Sequence, residues 1–302
     1  MRKSMKRLVA VVLVVLSLGV CTLGVVAVRT NQNYDLLVMS SNVLFDDTYD
    51  TEYRMNCLAE TYLEYMPDVL CLQEARANQT AALYPLLEDY YTAVPLEQYA
   101  TDTQKIVYQQ ILYRHDLFSV VEAGFTRFRE NVFPWGVSWV VFERNDDSKQ
   151  FCVMSTHLSI ISSTYDPGAS NTVEGVQLRK NDCNTILNTA AAVREKYPEI
   201  PLLVGGDWNE IYGSPSLSPV DESSLLTNAM EVSPVANTSV NTSHDLCRMP
   251  VKGGDIIDHF YVTTDALSVK EQAVIADGVV IQGSDHCPIY VKVSFNCFQG
   301  KE

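Results

Sequence analysis

The chain has 302 residues, 47% of them hydrophobic and 10% aromatic, which is enough for a sizeable core, and no biased tract points to disorder. Its formal net charge is −15, and leaving out Arg2, Lys3, Lys6, Arg7 and Arg29 near the N-terminus takes the remainder to −20. A body so acidic lacks the broad basic footprint behind most non-specific nucleic-acid affinity, so a long DNA or RNA duplex is disfavoured as a partner, although a divalent cation or a few placed basic groups can still hold one phosphate.

Behind the basic flank, residues 8–28 carry no charge, about the 20-residue length that crosses a bilayer as a helix. The flank should stay cytoplasmic, which puts the body outside. A cleaved signal peptide is the competing reading, because Val25-Val26-Ala27 offers small residues at a cleavage position. Residues 1–30 are therefore expected to be a signal-anchor or signal peptide, and 31–302 one folded domain. Of eight cysteines, Cys21 lies in the apolar segment, leaving an odd seven, with Cys71 and Cys152 embedded in apolar runs. No CxxC pair suggests a zinc site, and one disulfide joining Cys287 and Cys297 is compatible with an extracytoplasmic body.

The body opens near Tyr34, and residues 36–40 read as its first strand. A helix is expected over 52–65, with Leu58, Tyr62 and Tyr65 on one face and Pro67 closing it. Residues 69–74 form a second buried strand ending on a carboxylate. Further strands are expected over 111–114, 118–122, 138–143 and 151–157, the last two joined into a hairpin by Asn145-Asp146-Asp147-Ser148. A long helix over 175–196 stops before Pro198, and 202–204 leads into Gly205-Gly206-Asp207. Residues 213–250 are loop-rich, with helical potential only at 225–230, and should form surface segments over a site. Strands over 256–263 and 289–295 flank a segment at 269–276. The mixture is α and β, with no internal repeat and no linker.

Buried strands are built from continuous Val, Leu and Ile, so a polar group at the tip of one run after another needs its own explanation. Ser41-Asn42, Gln73-Glu74, Thr156-His157, Gly206-Asp207-Trp208-Asn209, Asp258-His259 and Ser284-Asp285-His286 all occupy such tips. Convergence on one site is the simplest account. Two glycines before Asp207 permit close backbone approach, and Asp207 and Asn209, two apart on an extended chain, can address the same ligand; an Asx-type turn is the plain alternative. At 284–286 an imidazole able to exchange a proton near neutrality adjoins a carboxylate that can set its tautomer and raise its pKa. One such His reads as a polar cap. Two of them, His157 and His286, beside Glu74, Asp207, Asp258 and Asp285, read as a site.

In this order the clusters resemble the endonuclease/exonuclease/phosphatase superfamily, which includes deoxyribonuclease I, neutral sphingomyelinases, inositol polyphosphate 5-phosphatases and deadenylases; the resemblance covers about residues 36–296. It implies a four-layer α/β/β/α sandwich of two mixed β-sheets flanked by helices, and a catalytic domain hydrolysing phosphoesters with Mg²⁺ or Mn²⁺. By resemblance, Glu74 is the principal metal carboxylate, with Asn42 beside it and Asp285 supporting the metal shell; hard oxygen donors suit these ions better than zinc. Asp207 would orient or deprotonate the attacking water, and Asn209 would hold a phosphate oxygen. His286 would contact the scissile phosphate and, partnered by Asp258, is a candidate base. His157 would be a second phosphate-contacting imidazole that stabilises charge or protonates the leaving oxygen. Thr156-His157-Leu158 is similar to the deoxyribonuclease I, sphingomyelinase and phosphatase branches, whereas abasic-site endonucleases carry a tyrosine near this place.

Two departures stand out. Val43-Leu44-Phe45 lacks the acid that some members use as a second metal ligand, leaving Asp46 or Asp47 for that role. Pro134-Trp135-Gly136-Val137 stands where many relatives carry an arginine, leaving Arg127 or Arg129 to serve. Gln177 and Arg179, at the start of the long helix, are candidate substrate contacts, with a solvated helix face as the alternative. Trp135 and Trp139 read as a stacking platform or as rim packing. The expected partner is a phosphoester (phospholipid head group, sugar phosphate or nucleic acid). The expected setting is an extracytoplasmic monomer, attached to the membrane through the N-terminal helix or secreted. A catalytically silent binding module on the same scaffold is the rival reading, and it predicts the loss of residues that are all present here.

Overall fold

The structure, a computed structural model, describes residues 33–99, 108–129, 135–160, 172–276 and 278–296. The chain divides into Met1–Asp35 and Leu36–Glu302, and every element below belongs to the second unit. The apolar segment 8–28 and Cys297 lie outside the described residues, among which no helix is long and apolar enough to cross a membrane.

In chain order the elements are β1 (Leu36–Asn42), α1 (Thr51–Tyr65), β2 (Val69–Gln73), α2 (Ala77–Leu87), β3 (Tyr91–Ala93), β4 (Gln110–Arg114), β5 (Phe118–Arg127), β6 (Gly136–Arg144), β7 (Gln150–His157), α3 (Val173–Lys196) and β8 (Leu202–Asp207). They continue with α4 (Ser218–Asp221), β9 (Thr227–Asn228), α5 (Ala229–Val232), β10 (Ala236–Asn237), β11 (Asp258–Val262), β12 (Leu267–Val274), α6 (Val280–Gly283) and β13 (Ile289–Phe295). Asp50 caps α1 by accepting from the Tyr53 amide, and Thr172 caps α3 through Gly175. Arg194 and Lys196 in the last turn of α3 complement its dipole. Helix α2 has no counterpart in the sequence expectation. Its N-cap, Arg76, makes no side-chain capping bond and Pro85 interrupts its interior, so both boundary signals are missing.

The strands form a seven-stranded sheet, β10-β12-β13-β1-β2-β4-β3, and a six-stranded sheet, β5-β6-β7-β8-β11-β9. Each is mixed. A parallel pair, β1–β2 in one and β7–β8 in the other, sits beside antiparallel neighbours. The period-two alternation of the strands then fixes four layers. Leu36, Val38, Val69, Cys71, Phe151, Val153, Leu203, Phe260 and Val262 belong to one core, between the sheets. Cys152, Met154, Leu202 and Val204, one residue out of phase, pack with Cys183, Ile186 and Ala190 of α3. On the first sheet, Leu37 and Met39 share a face with Ser41, whose hydroxyl accepts from Tyr62 of α1 at 2.8 Å. The order is therefore helix, sheet, sheet, helix.

The same alternation decides where the polar tips point. Asn42 continues the 36, 38, 40 phase, His157 the 151, 153, 155 phase, Asp207 the 203, 205 phase, and Asp258 the 260, 262 phase. All four face the space between the sheets. Register aligns them at one edge, with Asn42 beside Gln73, His157 beside Asp207, and Asp258 across from Asp207. Gly206 makes this alignment sterically feasible, because a Cβ there would lie 2.2 Å from the Thr156 carbonyl oxygen of the paired strand. Gly206→Ala is expected to destabilise the fold by about 1–3 kcal/mol through overpacking, which thermal denaturation would read as a lower midpoint; an unchanged midpoint would show that β7 and β8 can part without cost.

Candidate active site

The two sheets meet at Asn42. Its Nδ2 donates to Glu74 Oε1 at 3.1 Å and to Asp207 Oδ2 at 3.0 Å, so one amide joins the tip of the first sheet to the tip of the second. Its Oδ1 accepts from the Leu44 amide. Glu74, half-buried with φ +59, directs Oε2 to the Phe45 amide at 2.8 Å. A second inter-sheet tie lies just behind, where Gln73 Nε2 donates to Ser155 Oγ at 3.1 Å.

Asp207 is the hub on the other side. Its Oδ1 accepts from the Asn209 amide at 2.8 Å, which is the Asx-type turn, and its Oδ2 is left facing His157 Nε2 at 3.5 Å and His286 Nε2 at 3.7 Å. His286 Nδ1 lies 2.9 Å from Asp258 Oδ2, so the carboxylate fixes Nδ1 as the protonated nitrogen and turns Nε2 toward Asp207. Burial opposes the charged form of His286, but Asp258 and Asp207 outweigh it and raise its pKa well above the ordinary value. Burial likewise opposes ionisation of Asp207, yet His286 and His157 hold its pKa below the ordinary carboxylate value. Asp258 is pushed up, mainly by burial, against the pull of His286. An ionised Asp207 beside an imidazolium at His286 is the resulting charge state near neutrality.

Several supporting groups lie behind these residues. Arg54 of α1, 1% exposed, donates through Nη1 to the carbonyls of Val43 and Gly283, at 2.9 and 3.0 Å, and through Nη2 to those of Leu44 and Asp46, at 3.0 and 3.2 Å. It clips the loop after β1 to the segment leading into Ser284. Ser284 Oγ donates to the Asn42 carbonyl at 2.7 Å, and Thr242 Oγ1 accepts from the Asp258 amide at 3.2 Å. Beyond His157, Ser159 links Arg129 to Asp182: Arg129 Nη2 donates to its hydroxyl, and its amide donates to Asp182 Oδ2 at 3.0 Å. Burial pushes the Asp182 carboxyl up to about 6.

One of the remaining expectations needs correction. Arg179 does not reach a substrate surface: it is 0% exposed, with Nη2 2.5 Å from Glu210 Oε1 and Nε on Ser216 Oγ, so it braces the loop after Asn209 from beneath. Gln177, on the exposed face of α3, bonds Asn181. Asp46 accepts from the Thr48 amide, and Asp47 from Asn78 and Gln79 of α2, so both are engaged away from Glu74. Asp285 is half-buried and accepts from Ser284 Oγ at 3.4 Å. Asn209 directs Nδ2 to the Leu158 carbonyl at 2.9 Å. Of the two cations left for the missing arginine, Arg127 donates to the Tyr99 carbonyl, which leaves Arg129 beside the site. Trp135 and Trp139 part company. Trp135 lies 5.9 Å from the His157 ring, whereas Trp139 covers Gly124 and lines a cavity of about 580 Å³ with Val193 of α3 and Tyr197 at its C-cap.

For a divalent cation, Glu74 is the carboxylate whose hard oxygens fit. Asn42 could add its amide oxygen only after rotating the group that now turns Nδ2 to both carboxylates. Asp207, Asp258 and His286 also offer ligand atoms within 4.8 Å of one another, with Asp258 and His286 bonded to each other.

Known proteins are similar to this chain in sequence and in fold. The model of the Endonuclease/Exonuclease/phosphatase family matches residues 39–286. Among solved structures, an endonuclease/exonuclease/phosphatase from Bacteroides vulgatus has a TM-score of 0.72 and 20% identity, covering 86% of this chain and 99% of that one. A mannosyl-6-phosphatase from Bacteroides thetaiotaomicron has a TM-score of 0.73 and 19% identity, with coverage of 86% and 100%. D. rerio TDP2 complexed with single-strand DNA product has a TM-score of 0.65 and 15% identity, with coverage of 86% and 98%. No curated protein matches the sequence.

The acid–imidazole geometry carries its own test. Asp258→Asn removes the leading group that raises the His286 pKa, so the value should fall. Imidazole nitrogen NMR across a pH titration would show this as an earlier loss of the imidazolium signal as pH rises. An unmoved midpoint would mean that Asp258 does not hold the proton on His286.

Proposed function

The chain belongs to the Endonuclease/Exonuclease/phosphatase family, and on that premise we propose that it is a metal-dependent phosphoester hydrolase in which water attacks phosphorus in line. One observation carries this reading. One donor, Asn42 Nδ2, and two imidazole nitrogens, His157 Nε2 and His286 Nε2, surround a single carboxylate oxygen of Asp207 at 3.0, 3.5 and 3.7 Å, so proton acceptor and positive charge share one buried edge.

Asp207, ionised and held by Asn42 and the Asn209 amide, orients the water and takes its proton. His286, an imidazolium sustained by Asp258, offsets charge that develops on the phosphoryl oxygens, which gives it the charge-stabilising role and leaves the base role to Asp207. His157 stands on the other side of Asp207, placed to protonate the leaving oxygen. Mg²⁺ or Mn²⁺ held by Glu74, with Asn42 and Asp285 beside it, would supply further charge compensation. Asn209 contributes its turn and the Leu158 tether, and with them the position of Asp207.

For the substrate we favour a small phosphoester over a nucleic-acid duplex, because the body carries −20 and the cations around the site are engaged within the protein, Arg54 with main-chain carbonyls, Arg129 with Ser159 and Arg76 with the Phe45 ring. Trp135 flanks His157, and Phe45, 40% exposed with the Arg76 guanidinium 3.9 Å from its ring centroid, flanks Glu74. Flat faces on both sides suit a sugar ring or another compact group, a choice in keeping with the mannosyl-6-phosphatase neighbour. A phospholipid head group is the other small substrate of this chemistry. The monomeric, extracytoplasmic setting we propose rests on the basic flank and the uncharged segment 8–28.

The purified chain, given Mg²⁺ or Mn²⁺, should hydrolyse p-nitrophenyl phosphate or bis(p-nitrophenyl) phosphate, and a chelator should abolish this reversibly. Asp207→Asn and His157→Ala should each lower kcat by about 10²–10⁴-fold. Retention of full activity in both variants would displace the reaction from this edge. Because the imidazolium is the working form, kcat/KM should fall as pH rises through the raised His286 pKa, and in Asp258→Asn that fall should move to lower pH.

A further inference from the structure

The cavity of about 580 Å³ beside Trp139 lies between α3 and the paired strands β5 and β6, on the face of the second sheet that His157 and Asp207 do not share. A β-bulge builds it. Phe118 and Val120, at the start of β5, face the core between the sheets, but the register slips between Val120 and Glu122, and Ala123 and Phe125 take over that face. Glu122 and Thr126 are thereby turned to the α3 side, with Gly124 between them. An unbroken alternation would have sent Glu122 into the apolar core. Gly124 leaves room for the indole of Trp139, its partner on β6: a Cβ at 124 would lie 2.5 Å from that ring. Glu122 Oε2 accepts from Lys196 Nζ and from Tyr197 Oη, both at 2.6 Å.

The lining selects a class of ligand. Its volume lies within the range of about 300–1,000 Å³ common to small-molecule sites. Glu122 and Lys196 are the charged residues of the lining, and they pair with each other, so the cavity offers no net charge to a phosphate, a carboxylate or a metal ion. Trp139 and Tyr197 supply flat apolar surface, while the Thr126 hydroxyl, the Asn188 amide and the Trp139 indole N–H have no hydrogen-bond partner among the described residues. A neutral ring with an apolar face and a rim of hydroxyls meets all of these conditions. We propose that the cavity binds a neutral pyranose, stacked on Trp139 and hydrogen-bonded by Asn188, Thr126 and Glu122. Trp139 pairs with Met154, three residues before His157 on β7, so this site is about 10 Å along the strand from His157 and on the other face of the sheet. Where the phosphoester is itself carried by a glycan, in line with the substrate reading above, the cavity holds a unit that is not phosphorylated; the binding itself does not rest on that reading.

The readout is independent of catalysis. The purified chain is kept in chelator, and the indole N–H NMR signal of Trp139 is assigned by its loss in Trp139→Phe. That signal is followed on titration with methyl α-mannoside, methyl α-glucoside and methyl β-galactoside, and with linear oligosaccharides of the same sugars. At least one methyl glycoside should give a saturable shift at roughly millimolar concentration. Asn188→Ala, at an exposed position on α3, should weaken this binding by about fivefold or more while leaving hydrolysis of p-nitrophenyl phosphate unchanged. Asp207→Asn should bind the sugar as the wild type does, whatever becomes of its hydrolysis. Tighter binding of an oligosaccharide than of its methyl glycoside identifies a glycan as the source of the ring, and equal binding a free sugar. Absence of a shift with every saccharide would overturn the proposal, as would a shift that Asn188→Ala leaves untouched.

Discussion

Everything at the polar edge between the sheets depends on one amide. Asn42 Nδ2 bridges Glu74 and Asp207, the tips of two strands in different sheets, which approach closely only because a donor stands between them. Asp207 is 1% exposed, and a carboxylate that far from water is tolerated only when its charge is hydrogen-bonded or paired. Each bond from a neutral donor to such an ion contributes about 1.5–3 kcal/mol. The contribution is structural as well as electrostatic, because the sheets pack through an apolar core that says nothing about their relative slide along the strands. Cores of this kind accept many registers of similar area. The polar ties at Asn42 and at Gln73–Ser155 select one.

That register sets the charge state. Asp207, Asp258 and His286 sit within 4.8 Å of one another, with two acids for one imidazole. Burial disfavours every charge here, yet removing all three would leave polar atoms without partners. Splitting the difference is cheaper: one proton resides on His286, between an acid whose pKa is lowered and one whose pKa is raised. Opposite shifts on neighbouring carboxylates are how one environment can hold a base and an acid together at one pH. Asp207 receives four donors or cations, whereas Asp258 depends chiefly on His286 and Thr242, and this difference separates the two roles.

The sequence exposed this edge through polar groups at the tips of apolar runs, whose order resembles the family's. In the strands β1, β7, β8 and β11, a period of two then places Asn42, His157, Asp207 and Asp258 on the face that carries Val38, Val153, Leu203 and Phe260. The structure has both sheets and all of these strands. Contacts that join residues far apart in sequence left no comparable trace. Arg54 gave no signal at all, since its acceptors are main-chain carbonyls of residues 43, 44, 46 and 283, and carbonyls have no sequence signature. Arg179 misled for a related reason. A basic residue near a helix start suggests a phosphate contact, but its partner Glu210 lies 31 positions away, in a loop whose path local pattern cannot give. Trp135 precedes β6 and lies beside His157, whereas Trp139 lies within β6 and covers Gly124, a difference set by where the strand begins.

Backbone strain at the tips explains why so much of the molecule is committed to holding them. Leu44, Glu74 and Asn209, each two residues or fewer beyond a strand end, adopt φ of +56, +59 and +52, a region that costs a residue with a side chain of order 1–3 kcal/mol. Each is held by a side chain: Leu44 by Arg54 and Asn42, Glu74 by Asn42 and the Phe45 amide, and Asn209 by Asp207 and the Leu158 carbonyl. A strand that simply continued would carry its next side chain to the opposite face and out of the site. The left-handed residue breaks the alternation at the tip, so Glu74 can turn back beside Asn42, although the 69, 71, 73 phase would send residue 74 outward. The cost of the turn is met by the same bonds that hold the carboxylates, which is why the groups that shape this edge and the groups that give it charge are largely the same residues.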